Sequence, residues 1–487
     1  MKSKTHIPEV QQKQTYRALI LAVHTPDKSD EDMERSCSEL KLLANTLGVE
    51  VLGQAIQRRA GTRATLIMGK GKLREIALLT GGPGVDGELV AELEEEEFED
   101  DSLEDFEEDS IQEEDDLAED MDEDGEDTSA IAPGEVNLVL VDADLSPRQQ
   151  RALQAALGVQ VLDRSAVILR IFEQRAQTRE SRLEVEIARL RYEMPRLRDS
   201  HTGDDRRGGG GGAGGIGGRG ARGHSNLELA RQRARDRVAE LRRELAEVQA
   251  TDSARREQRS ETFQAVLVGY TNAGKSTLMR ALTGSDVLVE DKLFATLGTT
   301  VRRLDPPTKP EILISDTVGF ITNLPHELVA SFRSTLDEAG DAQLQIIVVD
   351  ASDSQWREQL KVTRETLASI DAPSIRQQVV FNKIDRLDPQ ARQQLDLGIK
   401  SAGIGKALKI SAHSDEGVAE LRARIIQAQE DAMSRATLLV PFKMGRIVGE
   451  IHENAHIIEE KYTAEGTSFK LLAQPRFIER WEGMLKG

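Results

Sequence analysis

Residues Gly269-Tyr270-Thr271-Asn272-Ala273-Gly274-Lys275-Ser276 fit the pattern G-x-x-x-x-G-K-[ST], and few backbones can satisfy it. The glycines let successive N–H groups wrap a polyphosphate, the lysine neutralises its β and γ oxygens, and the serine hydroxyl is a ligand for Mg²⁺. Such a loop must leave a buried strand and open a helix. The flanks comply: Thr262 to Val268 is an apolar, β-branched run, and Lys275, Ser276 and Thr277 lead into a helical segment through Leu282.

Two further signatures follow in order. Glu311 to Ser315 reads as a strand delivering Asp316-Thr317-Val318-Gly319, where Asp316 can reach Mg²⁺ through water and the Gly319 N–H can face a γ-phosphate. Gln345 to Val349 and Gln378 to Phe381 read as parallel strands, the second ending at Asn382-Lys383-Ile384-Asp385. The Asp385 carboxylate can accept two hydrogen bonds from the N1–H and exocyclic amine of guanine, whereas adenine would leave it unpaired at a desolvation cost. A last strand, Ala407 to Ile410, precedes Ser411-Ala412-His413, placed for a second guanine-contacting loop. These signatures imply binding of GTP and GDP with Mg²⁺, and hydrolysis of GTP.

At 487 residues the chain has material for about three domains, and its single cysteine, Cys37, excludes a disulfide framework. No apolar run is long enough to span a bilayer, so a cytoplasmic location is expected. The net charge of −21 comes from one segment, since residues 92–127 hold 24 Asp or Glu and no Lys or Arg. The remainder carries 61 acids against 64 bases. Such a run cannot bury enough apolar surface to offset chain entropy, so it is expected to be a disordered insertion. It is read either as a solvated loop or as an anionic arm competing with nucleic acid for the chain's own basic surface.

Around that arm, strands at Tyr16 to Val23, Val49 to Leu52, Asn137 to Val141 and Val159 to Leu162 alternate with helices at Glu31 to Leu47, from Gly69 through Leu79, and at Pro147 to Leu157. Gly69-Lys70-Gly71-Lys72 has the wrong glycine-to-lysine spacing for a second phosphate loop and reads as a strand-to-helix turn. Residues 170–260 contain 21 Arg and no Lys. Leu183, Ile187, Leu190, Met194 and Leu197 recur at seam spacing, as do Ala234, Val238, Leu241, Leu245 and Val248, which predicts a helical hairpin whose first helix is kinked or ended by Pro195. Residues 208–223, with 11 glycines, form its tip. Arginine without lysine favours bidentate phosphate contacts and stacking on structured RNA; the competing reading is two salt-bridged helices on a linker. From Pro441 a short helix and a hairpin of Ile457 to Tyr462 with Ser468 to Leu472 are expected.

The predicted fold class is multidomain α/β: a P-loop GTPase domain with a mostly parallel sheet (261–432), preceded by a β/α N-terminal domain (1–175) and an antiparallel helical hairpin (176–260), and followed by a small α+β domain (433–487). This order of parts resembles the HflX family of translational GTPases over nearly the whole chain outside 92–127. The resemblance rests on Val161 to Arg164, Gln174 to Glu180, Leu190 to Tyr192 with Pro195 to Leu197, the glycine-rich tip, Gly269 to Thr277, and Leu293-Phe294-Ala295-Thr296-Leu297. Two stretches depart from the family pattern, Gly223-His224-Ser225-Asn226-Leu227-Glu228 and Arg170, where an aspartate is usual. The resemblance implies GTP-dependent association with the large ribosomal subunit and its rRNA, and separation of stalled or idle ribosomes under stress, by a monomer. Assembly of ribosomal subunits, other RNA remodelling, or a signalling scaffold recruiting a partner through the acidic arm are the alternative readings.

By the same resemblance Thr296 is the switch residue offering an oxygen to Mg²⁺ within the loop Phe294 to Gly298, with Thr299 and Thr300 as alternatives. Phe320 stands where many GTPases carry a water-orienting glutamine. A phenyl ring cannot orient water, so slow intrinsic turnover is expected. Asn272 marks related GTPases that use K⁺ to offset phosphate charge; its other reading is a brace for the loop. The catalytic set expected is Lys275, Thr296, Gly319 and Asn272.

Overall fold

The computed structural model describes residues 16–62, 64–85, 131–197, 220–259, 262–284, 293–294, 300–321, 340–369 and 375–486. The acidic segment, most of the glycine-rich tip and residues 295–299 lie outside them. The chain divides into two units, 1–171 and 172–487.

In the first unit, β1 (Arg17–His24), β2 (Glu50–Arg58), β3 (Leu138–Val141) and β4 (Gln160–Asp163) form a parallel sheet in the order β2-β1-β3-β4. Strands buried on both faces read as unbroken apolar runs, as Leu138-Val139-Leu140-Val141 does. Helix α1 (Asp30–Leu47) starts at a capping box of Ser29 and Asp32 and ends at Gly48 with φ 77°. Helix α2 (Lys70–Thr80) starts at Gly69, whose N–H donates to Gln57 Oε1 at 2.7 Å, so Gly69 to Lys72 is a helix entry as expected. Helix α3 (Pro147–Leu157) follows β3, and α4 (Arg164–Arg175) leads out of the sheet across the boundary between the units. Strand β2 runs six residues beyond the predicted Leu52, because Gln54 and Gln57 sit half-buried beside β1. Burial, then the neighbouring Asp142, pushes the Cys37 thiol up to about 12. It is an inert core residue.

In the second unit the hairpin consists of α5 (Arg179–Glu193) and α6 (Gly220–Arg259). Leu183 and Ile187 pack with Val238 and Leu241, and Leu190, Leu245 and Val248 extend the seam. A single 3₁₀ turn at Met194–Arg196 closes α5 at Pro195. Glu186 accepts from Arg237 at 3.1 Å across the pair, an exposed contact that fixes register more than it adds stability.

The six-stranded sheet runs β10-β9-β8-β5-β7-β6, comprising β5 (Phe263–Gly269), β6 (Thr300–Arg303), β7 (Ile312–Asp316), β8 (Leu344–Asp350), β9 (Arg376–Asn382) and β10 (Leu408–Lys409). All neighbours are parallel except β6 against β7. Strand β6 was not anticipated, being short and exposed beyond Val301; β10 shrinks to two paired residues of the expected four. Helices α7 (Lys275–Thr283), α8 (Trp356–Ser369), α9 (Pro389–Ser401) and α10 (Val418–Asp431) complete this α/β unit.

The remaining sheet, β11-β13-β12, is antiparallel: β11 (Ser434–Val440), β12 (Ala455–Tyr462) and β13 (Thr467–Ala473), with α11 (Gly445–Asn454) and α12 (Pro475–Lys486). The expected hairpin is β12-β13; β11 and α12 add to it. Trp481, wholly buried, stacks on Phe477 at 5.7 Å and donates from Nε1 to Glu450 at 3.3 Å. Trp481→Ala should cost about 3–5 kcal/mol. Hydrogen exchange across 434–486 should therefore accelerate, and an unaltered exchange profile would show that the tryptophan is not what holds this sheet to its helices.

Candidate nucleotide site

Strand β5 ends at Gly269, where φ is 148° and a Cβ would lie 2.2 Å from the Val348 carbonyl oxygen. No side chain fits that contact. At the far end of the loop Gly274 takes φ 91°, and a Cβ there would meet Asn382 Nδ2 at 2.3 Å. Only glycine permits both the turn and the close approach. Asn272 also adopts a left-handed conformation, φ 60°, with its side chain exposed. The loop then opens α7, so the N-terminal end of that helix and its dipole follow directly on the loop.

Lys275 is buried, and its Nζ donates to the carbonyls of Gly269 (3.0 Å) and Tyr270 (2.9 Å). Burial pushes its ammonium down to about 8, while the Asp316 carboxylate pulls the other way. Ser276 Oγ donates to Asp316 Oδ2 at 2.8 Å, and Asp316 has no exposed surface. A hydroxyl and a carboxylate in contact, at the mouth of a phosphate cradle, form a hard-oxygen donor pair that suits Mg²⁺ completed by phosphate oxygens and water. Among the described residues there is no cluster of three or more His, Cys, Asp or Glu that would hold a metal by protein ligands alone.

The segment after β7 is stitched to the phosphate loop. Thr271 N–H donates to the Phe320 carbonyl at 2.7 Å and Phe320 N–H to the Gly269 carbonyl at 3.1 Å. A Cβ on Gly319 would lie 2.8 Å from Lys275 Nζ, so the Gly319 backbone passes directly over the lysine. Thr317 turns its hydroxyl into the sheet, donating to Leu267 O at 2.9 Å, and Val318 is buried. The Phe320 ring is buried too, so its side chain presents nothing polar to a water molecule.

The base side is built around Asn382. Its amide donates to the Ala273 carbonyl (2.9 Å) and accepts from the Ala412 N–H (2.9 Å), while its own carbonyl accepts from the Ala351 N–H (2.8 Å). Lys383 takes φ 65°, Ile384 is buried, and Asp385 stands exposed, so a purine and not the protein would desolvate it. The hydrogen bond with Ser411 holds the Asp385 carboxyl below the ordinary carboxylate range, with His413 and Arg386 assisting. Ser411 is itself fixed, its N–H on Glu416 O and its hydroxyl accepting from Ser414 N–H at 3.2 Å.

Of the predicted switch loop, Phe294 is described and Ala295, Thr296, Leu297, Gly298 and Thr299 lie outside the described residues. Thr300 is the first residue of β6. Phe294 is buried with φ 53°, and its ring meets Phe172, in the last turns of α4, edge-on at 4.8 Å. Nothing in the sequence announces a contact between residues so far apart.

This is the arrangement of a P-loop GTPase. Residues 264–383 match the family described as 50S ribosome-binding GTPase, 175–259 the GTP-binding GTPase middle region, and 34–90 with 125–173 the GTP-binding GTPase N-terminal region. The chain is 46% identical over 463 residues to GTPase HflX of Gluconacetobacter diazotrophicus, covering 95% of this chain and 96% of that protein. It is 34% identical over 460 residues to GTPase HflX of Caldanaerobacter subterraneus, covering 93% and 90%. To GTPase HflX of Escherichia coli it is 35% identical over 360 residues, covering 73% and 82%. The chain belongs to the HflX family of GTPases and hydrolyses GTP. A GTP-binding protein of Sulfolobus solfataricus, solved with GDP, aligns over 85% of this chain and 98% of its own at 20% identity and a TM-score of 0.40.

A phosphate beside Lys275 stabilises the ammonium, so the complex keeps its proton to higher pH than the protein alone. Binding then takes up a proton above the lowered value, and affinity must fall as pH rises. From about pH 7 to about pH 8.7 the Kd for GDP should rise roughly fivefold at constant ionic strength, while a flat profile would mean that Lys275 is charged throughout.

Proposed function

We propose that this GTPase acts on the large ribosomal subunit, engaging its rRNA through the arginine-rich hairpin in the GTP-bound form and parting stalled or idle ribosomes under stress, as a cytoplasmic monomer. The observation that carries the reading is the set of exposed arginines on α6. Arg233, Arg242 and Arg243 stand exposed and form no ion pair among the described residues, whereas Arg237 is held across the seam by Glu186. Guanidiniums exposed on a helix suit the phosphates of folded RNA. The match of residues 264–383 to a family described as ribosome-binding, and the HflX relatives, support the same partner. Among the described residues no helix is long and apolar enough to cross a membrane.

The reading assigns four parts: 1–175, the hairpin 176–260, the GTPase domain 261–432 and a C-terminal domain 433–487. Cosedimentation with ribosomal subunits decides it. Association with large subunits should appear with a non-hydrolysable GTP analogue and weaken with GDP, and intact ribosomes should dissociate in the same mixture. Association without dissociation would favour a role in assembly or RNA remodelling; no association would favour a scaffold.

Within the site, Lys275 and the backbone of Gly269 to Thr277 hold the phosphates. Ser276 and Thr296 ligate Mg²⁺, Asp316 does so through water, and Gly319 offers its N–H to the γ-phosphate. Asn382 to Asp385 and Ser411 to His413 enclose the guanine. Thr296→Ala should lower turnover at saturating GTP and raise the Mg²⁺ needed for it; a loss seen only with Thr300→Ala would transfer the role. Exposed and left-handed, Asn272 is the residue we assign to K⁺ beside the phosphates, its other reading being a brace for the loop. Hydrolysis should be faster in KCl than in NaCl at equal ionic strength, and equal rates would remove K⁺ from the mechanism.

A further inference from the structure

We infer that Asp350, outside every motif named above, is the positioning residue for Lys383, and that this ion pair straps the guanine loop across the phosphate loop and sets the lifetime of bound nucleotide. Lys383 Nζ lies 2.8 Å from Asp350 Oδ2, with the two side chains only 13% and 15% exposed. At that burial the pair is shielded from the screening that weakens surface ion pairs. The carboxylate does not swing freely. Its Oδ1 accepts from the Ser352 N–H (2.9 Å) and hydroxyl (2.6 Å), and Asp350 itself ends β8 in register with Asn382 of β9.

The lysine's route gives the pair its consequence. A left-handed backbone at Lys383, unusual for a residue with a Cβ, turns the side chain back over the phosphate loop. A Cβ placed on Gly274 would lie 3.9 Å from Lys383 Cε, so the lysine stem runs beside that glycine before its charge reaches Asp350. Gly274 is where α7 begins, and its neighbour Ala273 is held by Asn382. One end of the strap is therefore anchored on β8 and the other on β9, with the phosphate loop beneath. A loop ordered before the ligand arrives costs less to order on binding, and the gain falls on dissociation.

Asp350→Asn keeps the shape and the oxygen that serves Ser352, and turns toward Lys383 an NH2 group that neither carries charge nor accepts from the ammonium. We expect GDP and GTP to dissociate faster by the same factor, about tenfold, while kcat at saturating GTP stays within about twofold. Lys383→Met, with a stem of similar length and no charge, should show at least that loss, and the double variant should be no worse than Lys383→Met alone. Asp350→Glu should recover part of the affinity. Unchanged dissociation rates in Asp350→Asn, additive losses in the double variant, or a fall in kcat with affinity intact would each overturn the assignment. Should Asp350→Asn fail to fold, Lys383→Met together with Asp350→Glu reads the same contact: Asp350→Glu altering dissociation in the Lys383→Met background as much as in wild type would refute it.

Discussion

Asn382 ties three segments together, two through its buried side-chain amide and one through its backbone carbonyl. It restrains the phosphate loop at Ala273 and the guanine loop at Ala412, and the same residue's carbonyl ties the end of β8 at Ala351. Inside the protein each of these bonds is stronger than it would be in water, and leaving any of the groups unpaired would be costly. Base recognition and phosphate recognition are consequently a single rigid frame. The glycines make that possible, since a methyl group at Gly274 would occupy the position of the Asn382 nitrogen.

That frame explains which parts of the site could be read from residues alone. Three strands of the six-stranded sheet run through buried apolar residues to a motif residue: Gly269 on β5, Asp316 on β7 and Asn382 on β9. Burial on both faces writes such strands plainly into the chain. The hairpin seam was legible for a similar reason, since spacings of three and four put Leu183, Ile187, Val238 and Leu241 on facing stripes. Edge elements left weaker traces. Thr300–Arg303 pairs on one side only and shows Arg302 and Arg303 to solvent, so no apolar pattern marks it as β6. Strand β11 is likewise an edge, with Ser434, Arg435, Thr437 and Leu439 exposed.

Contacts set by the path of a loop were illegible altogether. The ion pair of Asp350 with Lys383 and the ring contact of Phe172 with Phe294 depend on loop paths that no local periodicity encodes. The first unit offers a parallel case. Arg164 is buried against Asp142 at 2.9 Å and against Glu39, and although burial disfavours its charge the two carboxylates more than restore it. Removing both acids would strand a cation in the core. The stretch Val161 to Arg164 stood out in the sequence only by resemblance, and the packing supplies its physical reason.

Helix α6 has 40 residues, a rod about 60 Å long. Its final residue, Arg259, precedes by only ten positions the Gly269 that opens the phosphate cradle. Strand β5 and a connection of three residues separate the shaft from that loop. At that length a tilt of ten degrees at one end corresponds to about 10 Å at the other, so the far end of the hairpin amplifies any small change of angle at its base.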